Sequence, residues 1–303
     1  MRKTPPLHTL FIGSFDAISN QGLIYSTTDS GLTYSTPAVV GDQLLSSITF
    51  SPNYKQDGFI LIGSTAGWVY WSNDNGTSFK PLPPDATSPP LTGNISVAFD
   101  RRFSSNSTVY AASDTPDSDI YRFIIDKSNN WQGIDATLPR GRPNASKVVQ
   151  LLVSVDGTLY AINSQSVDAA DKEGGMERCL NPSYSPGPTF ETVTRGLDDG
   201  VALSGLWLSG NKLWSVDTAN TRLTTFTDSL AVPVTLILPL NQASSIDTRN
   251  VTLWWSSASG ATKYEWQLDY DTDFSSAPFE GDTKASSVRL PEQLKLATTY
   301  HWP

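Results

Sequence analysis

The stretch SSITFSPNYKQDGFILIGSTAGWVYWSNDNGTSFKPLP, residues 46–83, decides the fold. Four short apolar-rich runs are separated by three tight breaks, the last of them Ser72-Asn73-Asp74-Asn75-Gly76-Thr77-Ser78-Phe79. Each run has strand length, and the breaks carry Asn, Asp and Gly where a hairpin demands positive φ. The segment therefore predicts one four-stranded antiparallel sheet.

The chain repeats that unit on both sides. Upstream, TLFIGSF (9–15), LIYSTT (23–28) and DSGLTY (29–34) match its second half: Gly13 stands for Gly63, Tyr25 for Tyr70 or Trp71, and Asp29 for Asp74. No equivalent of SSITFSPNY precedes them, so this reading starts the chain inside a repeat. Downstream, NISVAFDRRF, STVYAAS, DIYRFIID and a Trp131 strand form a third copy, with Phe99 in the place of Phe50 and Phe103 in that of Tyr54. KVVQLLVSVDGTLYAIN (147–163) opens a fourth, turned at Asp156-Gly157; its later half, through Gly174-Gly175 to Phe190, reads as irregular. LSGLWLSGNKLWSVD (203–217), turned at Gly210-Asn211, and RLTTFTD supply a fifth. Units of about 40–50 residues with four strands each are the mark of a β-propeller.

After Val232 the rhythm changes. VTLWWS (251–256) reads as a strand, and KYEWQLDY (263–270) as another, with Tyr264, Trp266, Leu268 and Tyr270 on one face and Lys263, Glu265, Gln267 and Asp269 on the other. That alternation marks a half-buried sandwich strand. Leu296–Trp302 starts a further strand, and the segment is shorter than the roughly 100 residues of such a sandwich, so it is expected to be C-terminally truncated.

Composition agrees with an all-β chain. The 303 residues are 38% hydrophobic and only 17% charged, with 21 Gly and 20 Pro, a balance suited to many short strands joined by turns. Twenty-one basic and 30 acidic residues give a net charge of −9. Nucleic-acid binding calls for clustered Lys and Arg. The densest basic spots here, Arg101-Arg102 and Arg140-Gly141-Arg142, are too small to provide it. Cys179 stands alone, so neither an internal disulfide nor a multi-cysteine metal site can form, and His8 and His301 lie at opposite ends of the chain. Cys179 is expected to be structural. No run of eighteen apolar residues suggests a membrane helix, and Leu7–Phe15 reads as a strand rather than the core of a signal peptide.

The SxDxGxxF pattern of Ser72–Phe79, and Thr27–Tyr34 more loosely, resembles the Asp-box of BNR-type propellers. That group includes sialidases, sortilin-like receptors, xyloglucanase-like glycosidases and photosystem assembly-factor-like proteins. The resemblance covers about residues 9–232, and FSPNYKQDG is similar to the first strand and turn of bacterial members. Residues 233–303 resemble a fibronectin type III domain, with Trp254 or Trp255 on its second strand and Tyr300 as the tyrosine-corner residue. The resemblance implies a structural role for the box residues Asp29, Gly31, Tyr34, Asp74, Gly76 and Phe79. The aspartate accepts amides across the turn, the glycine supplies positive φ, and the aromatic packs between sheets. The box says propeller and leaves the substrate open.

Sialidases of this kind clamp a carboxylate with three arginines, and glycosidases need two placed carboxylates. The sequence has no such arginine motif before the first box, and Asp198-Asp199 are neighbours whose side chains diverge. No catalytic set is assigned. Asp269-Tyr270-Asp271-Thr272-Asp273 alternates oxygen ligands toward Glu280, but Phe274 takes the place of the glycine a calcium loop needs; Asp114, Asp117 and Asp119 read as a hydrated turn. No metal and no cofactor are expected. Trp68, Trp71, Trp207, Trp214 and Trp266 are expected to pack between sheets. Trp131 and Tyr184 are the candidates for an exposed, ligand-binding aromatic, with Arg140 and Arg142 beside them as loop cations.

The expectation is thus an all-β chain. Residues 1–232 form a partial propeller of about five four-stranded blades, more readily an open arc than a closed ring. Residues 233–303 form a partial sandwich. The function it carries is a non-catalytic extracellular or cell-surface module binding protein or glycan through propeller-face loops, with no nucleic-acid partner and no membrane span in this segment; the alternative is a sialidase- or xyloglucanase-like glycoside hydrolase with catalytic residues partly outside this segment.

Overall fold

The computed structural model describes residues 9–116, 118–135, 138, 146–168, 170–184, 187–228, 234–258, 261–271, 274 and 277–302. The chain forms two compact units. One comprises 1–183, 187–207 and 214–224; the other comprises 184–186, 208–213 and 225–303. Among the described residues it is all-β apart from two one-turn helices.

Five antiparallel sheets follow one another along the chain. Sheet one holds β1 (Leu10–Asp16), β2 (Gln21–Thr27) and β3 (Ala38–Gly41). Sheet two holds β4 (Leu45–Phe50), β5 (Ile60–Ser64), β6 (Val69–Ser72) and β7 (Lys80–Pro81), with helix α1 (Tyr54–Asp57) between its first two strands. Sheet three repeats this plan with β8 (Ile95–Phe99), α2 (Phe103–Asn106), β9 (Thr108–Ser113), β10 (Ile120–Ile124) and β11 (Gln132–Gly133). Sheet four holds β12 (Val148–Val153), β13 (Leu159–Asp168), β14 (Glu173–Cys179) and β15 (Glu191–Val193). Sheet five holds β16 (Leu203–Ser209), β17 (Lys212–Asp217) and β18 (Arg222–Thr227).

The central strands of sheets two and three are apolar on both faces because each of these sheets is covered by a neighbour on either side. In β5, Ile60 and Ile62 face sheet one with Ile24, Val40 and Phe11, while Leu61 joins Val69, Val97, Val109 and Ala111 against sheet three. Tyr110 and Ala112 turn the other way, toward Leu151, Leu159 and Ala161 of sheet four. Each fully buried aliphatic contributes about 2 kcal/mol, and strands buried on both sides read as continuous apolar runs rather than alternating ones.

An aromatic clasp recurs where the sheets meet. Phe50 and Tyr54 close on Phe11, at ring-centroid distances of 5.3 and 6.1 Å. One repeat later Phe103 sits 4.6 Å from Phe99 and 4.9 Å from Phe59. The helices α1 and α2 exist to bring Tyr54 and Phe103 into this clasp, and each ends in a left-handed residue, Gly58 or Ser107, whose amide returns to the start of the helix.

Two expectations need correcting. The start of the region expected to be irregular is a regular strand, β14, which pairs with β13 over a register broken only between Asn163 and Asp168; among the described residues of 180–190 no strand forms. Gly174 and Gly175 adopt φ of 70° and 75° at this break, and a Cβ on Gly174 would press on the backbone of Gln165 and Ser166. The two glycines absorb the bulge and let the hairpin continue. Trp207 does not pack between sheets, since its side chain is 66% exposed; the left-handed Gly205 (φ 70°) interrupts the alternation of β16 just before it.

The second unit contains β19 (Leu236–Leu238), β20 (Thr252–Trp255), β21 (Tyr264–Leu268), β22 (Phe279–Thr283) and β23 (Ser287–Arg289), arranged as β19–β20–β23 and β21–β22. Leu253, Trp255, Trp266, Leu268, Leu290 and Leu294 form its core. Trp255 points inward and Trp254 outward. The expected strand from Leu296 does not form, since among the described residues only His301 bridges to Asp269; the Tyr300 hydroxyl accepts the amide of Lys295 at 3.0 Å, a side chain reaching back to the preceding turn.

Candidate functional site

The sheets give the first unit two ends of different character. One end carries α1, α2 and the Ser72–Phe79 turn, which follow the first or third strands of their sheets, together with the Thr27–Tyr34 turn after the second strand of three-stranded sheet one. The other carries the turns between second and third strands together with the longer connections from sheet to sheet.

At the first end the two turns repeat one hydrogen-bond network. Thr27 Oγ1 accepts the Gly31 amide at 3.0 Å and donates to Asp29 Oδ1 at 2.7 Å; Ser72 Oγ does the same for Gly76 at 2.9 Å and Asp74 at 2.7 Å. Asp29 then accepts the amide and hydroxyl of Thr33 (2.9 and 2.6 Å). Asp74 accepts the amides of Thr77 and Ser78 (2.9 and 3.0 Å) and the Ser78 hydroxyl (2.6 Å). Gly31 (φ 89°) and Gly76 (φ 78°) take the left-handed conformation that the turn requires. The donors hold Asp29 well below the ordinary carboxylate range, the Thr33 hydroxyl most of all. For Asp74, burial opposes the charge, but the Ser78 hydroxyl and amide, Ser72 and Thr77 together bring its pKa to about 2. Both carboxylates are committed as acceptors. Phe79 packs partly into the core between sheets one and two, whereas Tyr34 in the equivalent place is 48% exposed.

At the opposite end, a short polar side chain at the end of β1, β5, β9 and β17, and at the register break within β13, caps the chain that follows. Asp16 accepts the Ile18 amide, Ser64 those of Ala66 and Trp68, Ser113 that of Thr115, Asn163 that of Gln165 and Asp217 that of Ala219. The same turns are stapled to the sheet-to-sheet connections through backbone bonds. Thr65 donates to Leu44, Gly67 to Gly93, Asp114 to Asn94, Ser164 to Lys147, Val167 to Val201 and Thr218 to Ala202. Loops tied at this density present exposed side chains from a preorganised backbone. Asp85, Thr87 and Ser88 of the 82–94 connection, and Arg195, Asp198 and Asp199 of the 194–202 connection, are exposed on it.

Arg222 bridges two carboxylates there, Asp217 at 2.9 Å and Asp198 at 3.5 Å. Asp217 is fully enclosed, and the Asn220 side chain first, then the Asn220 amide and Arg222, lower its pKa against the cost of burial. Asp198, the other partner of Arg222, is 87% exposed. Asp217 is held chiefly by its own turn, whereas Asp198 reaches it only through the shared guanidinium of Arg222.

Between sheets three and four lies a buried polar cluster that the sequence reading did not find. Asp100 accepts the Tyr110 hydroxyl at 2.7 Å, the Asn106 amide group at 2.9 Å and the Arg102 amide at 2.8 Å. Arg122, also buried, donates to Gln132 at 2.9 Å and to the Pro182 carbonyl at 3.3 Å. Burial and the adjacent Asp100 push the Tyr110 phenol up, and burial pulls Arg122 down. Cys179 is buried in the same core. The only hint in the sequence is Asp100-Arg101-Arg102 at the position where the preceding repeat reads Ser51-Pro52-Asn53.

The other sequence-derived candidates fall in separate places. Trp131 is half-buried: its ring lies 5.2 Å from Phe123 and its Nε1 donates to the Leu82 carbonyl at 3.0 Å, so the indole joins sheets two and three. Arg140 and Arg142 lie outside the described residues. Tyr184 belongs to the second unit, where burial and the carboxylates of Glu280, Glu265 and Asp282 raise its pKa. Asp119, expected in a hydrated turn, is buried and accepts the Asp135 amide at 3.0 Å; Asp114 is tied to Asn94, and Asp117 lies outside the described residues. Gln267 and Asp269, expected on the open face of a half-buried strand, are both buried, so the alternation of Tyr264–Tyr270 is not one of covered and exposed faces; Asp269 receives the Tyr270 amide. Among the described residues no three His, Cys, Asp or Glu side chains gather as a metal site.

No protein-family model matches this chain, and no curated protein matches it in sequence. Solved structures do match in shape. The GH74 xyloglucanase from Xanthomonas campestris aligns with a TM-score of 0.51 at 15% identity, over 73% of this chain and 35% of that one. An ancestral GH74 enzyme gives 0.44 at 17% identity over 72% and 32%, and a chain of a nidogen/laminin complex 0.45 at 12% over 72% and 76%. The chain thus spans about a third of the length of the xyloglucanase. That first likeness shows the fold, a β-propeller, and nothing narrower.

Proposed function

We propose that this chain is an extracellular or cell-surface binding module. It engages protein or glycan through the end of the propeller formed by the sheet-to-sheet connections and the turns between second and third strands. The carrying observation is the run of backbone staples from Thr65–Leu44 to Thr218–Ala202, which holds that surface in one conformation across four sheets. Preorganised loops on a rigid scaffold lose little entropy on binding. The carboxylates enclosed there, such as Asp217, act as turn acceptors with lowered pKa. A glycosidase general acid needs the opposite shift.

The repeated Thr27/Asp29/Gly31 and Ser72/Asp74/Gly76 networks support reading these turns as Asp-boxes of a BNR-type propeller over about residues 1–232. The Tyr300–Lys295 bond and the inward Trp255 support a fibronectin type III-like domain over 233–303.

The test is a glycan array and a panel of purified extracellular matrix proteins, probed with the chain and with an Asp85→Lys/Arg195→Glu variant. The reading expects a ligand whose affinity the variant lowers at least about tenfold. Hydrolysis of xyloglucan or of a fluorogenic sialoside, with no binding lost in the variant, would replace it with a glycoside hydrolase.

A further inference from the structure

We propose that the Ser72–Phe79 turn is also a chemical lock on Asn75-Gly76, the chain's single Asn-Gly pair, and that Asn75 becomes a spontaneous modification site when the turn opens. In a free chain the glycine amide nitrogen loses its proton to solvent base and attacks the asparagine Cγ. A nitrogen–carbon bond forms to close a succinimide, the Cγ–Nδ2 bond breaks and ammonia leaves. Water then opens one of the two ring carbonyls, giving aspartate or isoaspartate. Glycine at the second position makes this route fast because no side chain hinders the attack.

Three restraints oppose that step here. The Gly76 amide hydrogen, which must be surrendered, is donated to Ser72 Oγ at 2.9 Å, and Ser72 is itself held by Asp74. Asn75 is fixed in the left-handed conformation at φ 60°, with its own amide donated to the Gly58 carbonyl at 3.3 Å. Its side-chain oxygen lies against Gly58, where an added Cβ would stand 3.0 Å away. Asn75 is nevertheless exposed, so water and base reach it freely. The protection is conformational, and its loss reports on opening of this one turn. A converted Asn75 would place a new negative charge next to Asp74, or an extra backbone methylene inside the turn, so opening once would hinder closing again.

The experiment ages three samples at mildly alkaline pH: the intact chain, its Ser72→Ala variant, and a synthetic peptide of residues 70–81. Peptide mapping by mass spectrometry follows ammonia loss at position 75, and Asn75→Gln is the control for assignment. Conversion in the intact chain is expected to be at least about tenfold slower than in the peptide, with Ser72→Ala moving toward the peptide rate. If Ser72→Ala fails to fold, a titration of the intact chain with denaturant takes its place, and conversion should accelerate as the turn opens. Equal rates in intact chain and peptide would overturn the proposal. So would a folded Ser72→Ala variant that converts as slowly as the parent, or a rate indifferent to denaturant.

Discussion

The Ser96 hydroxyl accepts the amide of Leu151 at 2.9 Å, joining the first strand of sheet three to the first strand of sheet four through a side chain. The neighbouring junctions use the same device with different residues. Ser46 and Ser47 both donate to the Ile95 carbonyl, at 2.7 and 2.8 Å, and Gln150 both accepts the Leu206 amide (2.8 Å) and donates to its carbonyl (3.0 Å). First strands have a free edge on the side away from their own sheet, and these bonds satisfy part of it. Replacing Ser96 by Ala orphans a buried amide, so unfolding by denaturant should show a loss of about 1–3 kcal/mol.

Gly63 sets the distance between sheets two and three. A Cβ there would collide with the Ile95 carbonyl and crowd the Ser47 hydroxyl. Gly63→Ala should cost about 3 kcal/mol or more because the obstacle is backbone. Gly187, around which nothing stands within 4 Å, is the matched control, and Gly187→Ala should stay within about 0.5 kcal/mol. Melting temperatures of the two variants decide it.

Acid should loosen the two box turns in a defined window. Asp74 has a folded pKa of about 2 against 3.8 for the free group, and Asp29 is lowered in the same sense. A depressed pKa contributes stability that is present above the unfolded value and is lost as pH falls through the folded one. Stability should therefore decline from about pH 4 toward about pH 2. Asp29→Asn/Asp74→Asn should be less stable at neutral pH and show a shallower decline. Chemical denaturation at a series of pH values measures both slopes.

Cys179 should resist a thiol reagent in the native chain and react fully in denaturant, because it is buried between sheets three and four. Tyr110→Phe, which withdraws a donor from buried Asp100, should cost about 1–3 kcal/mol and bring forward the denaturant concentration at which the thiol appears.

The fold was legible because it is written locally. Asx and Gly at the turns, apolar runs of strand length and the recurrence of Phe50/Tyr54 as Phe99/Phe103 each constrain a few neighbouring residues. The Ser72–Phe79 network was legible for the same reason, as every partner lies within four residues of another. What escaped depends on residues far apart in the chain. Gln150 meets Leu206, Ser96 meets Leu151 and Arg122 reaches Pro182 only after the sheets have stacked, and no local pattern separates a Gln or Arg so used from a solvated one. Trp207 failed for a related reason: its strand has the right composition, but Gly205 breaks the alternation, and which face is covered depends on what stacks beside it. The end proposed to bind was not legible as a site, since its staples run between backbone groups and leave no mark in residue type.

Native-state amide hydrogen exchange at Leu151 and Leu206 tests the stacking of the sheets most directly, because the side chains of Ser96 and Gln150, each from a neighbouring sheet, accept these amides. The stacked propeller predicts slow exchange at both, with Leu151 alone released by Ser96→Ala and Leu206 alone by Gln150→Ala, while ladder amides such as Ala161 stay protected. Exchange at free-edge rates for Leu151 and Leu206 in the unaltered chain would contradict it.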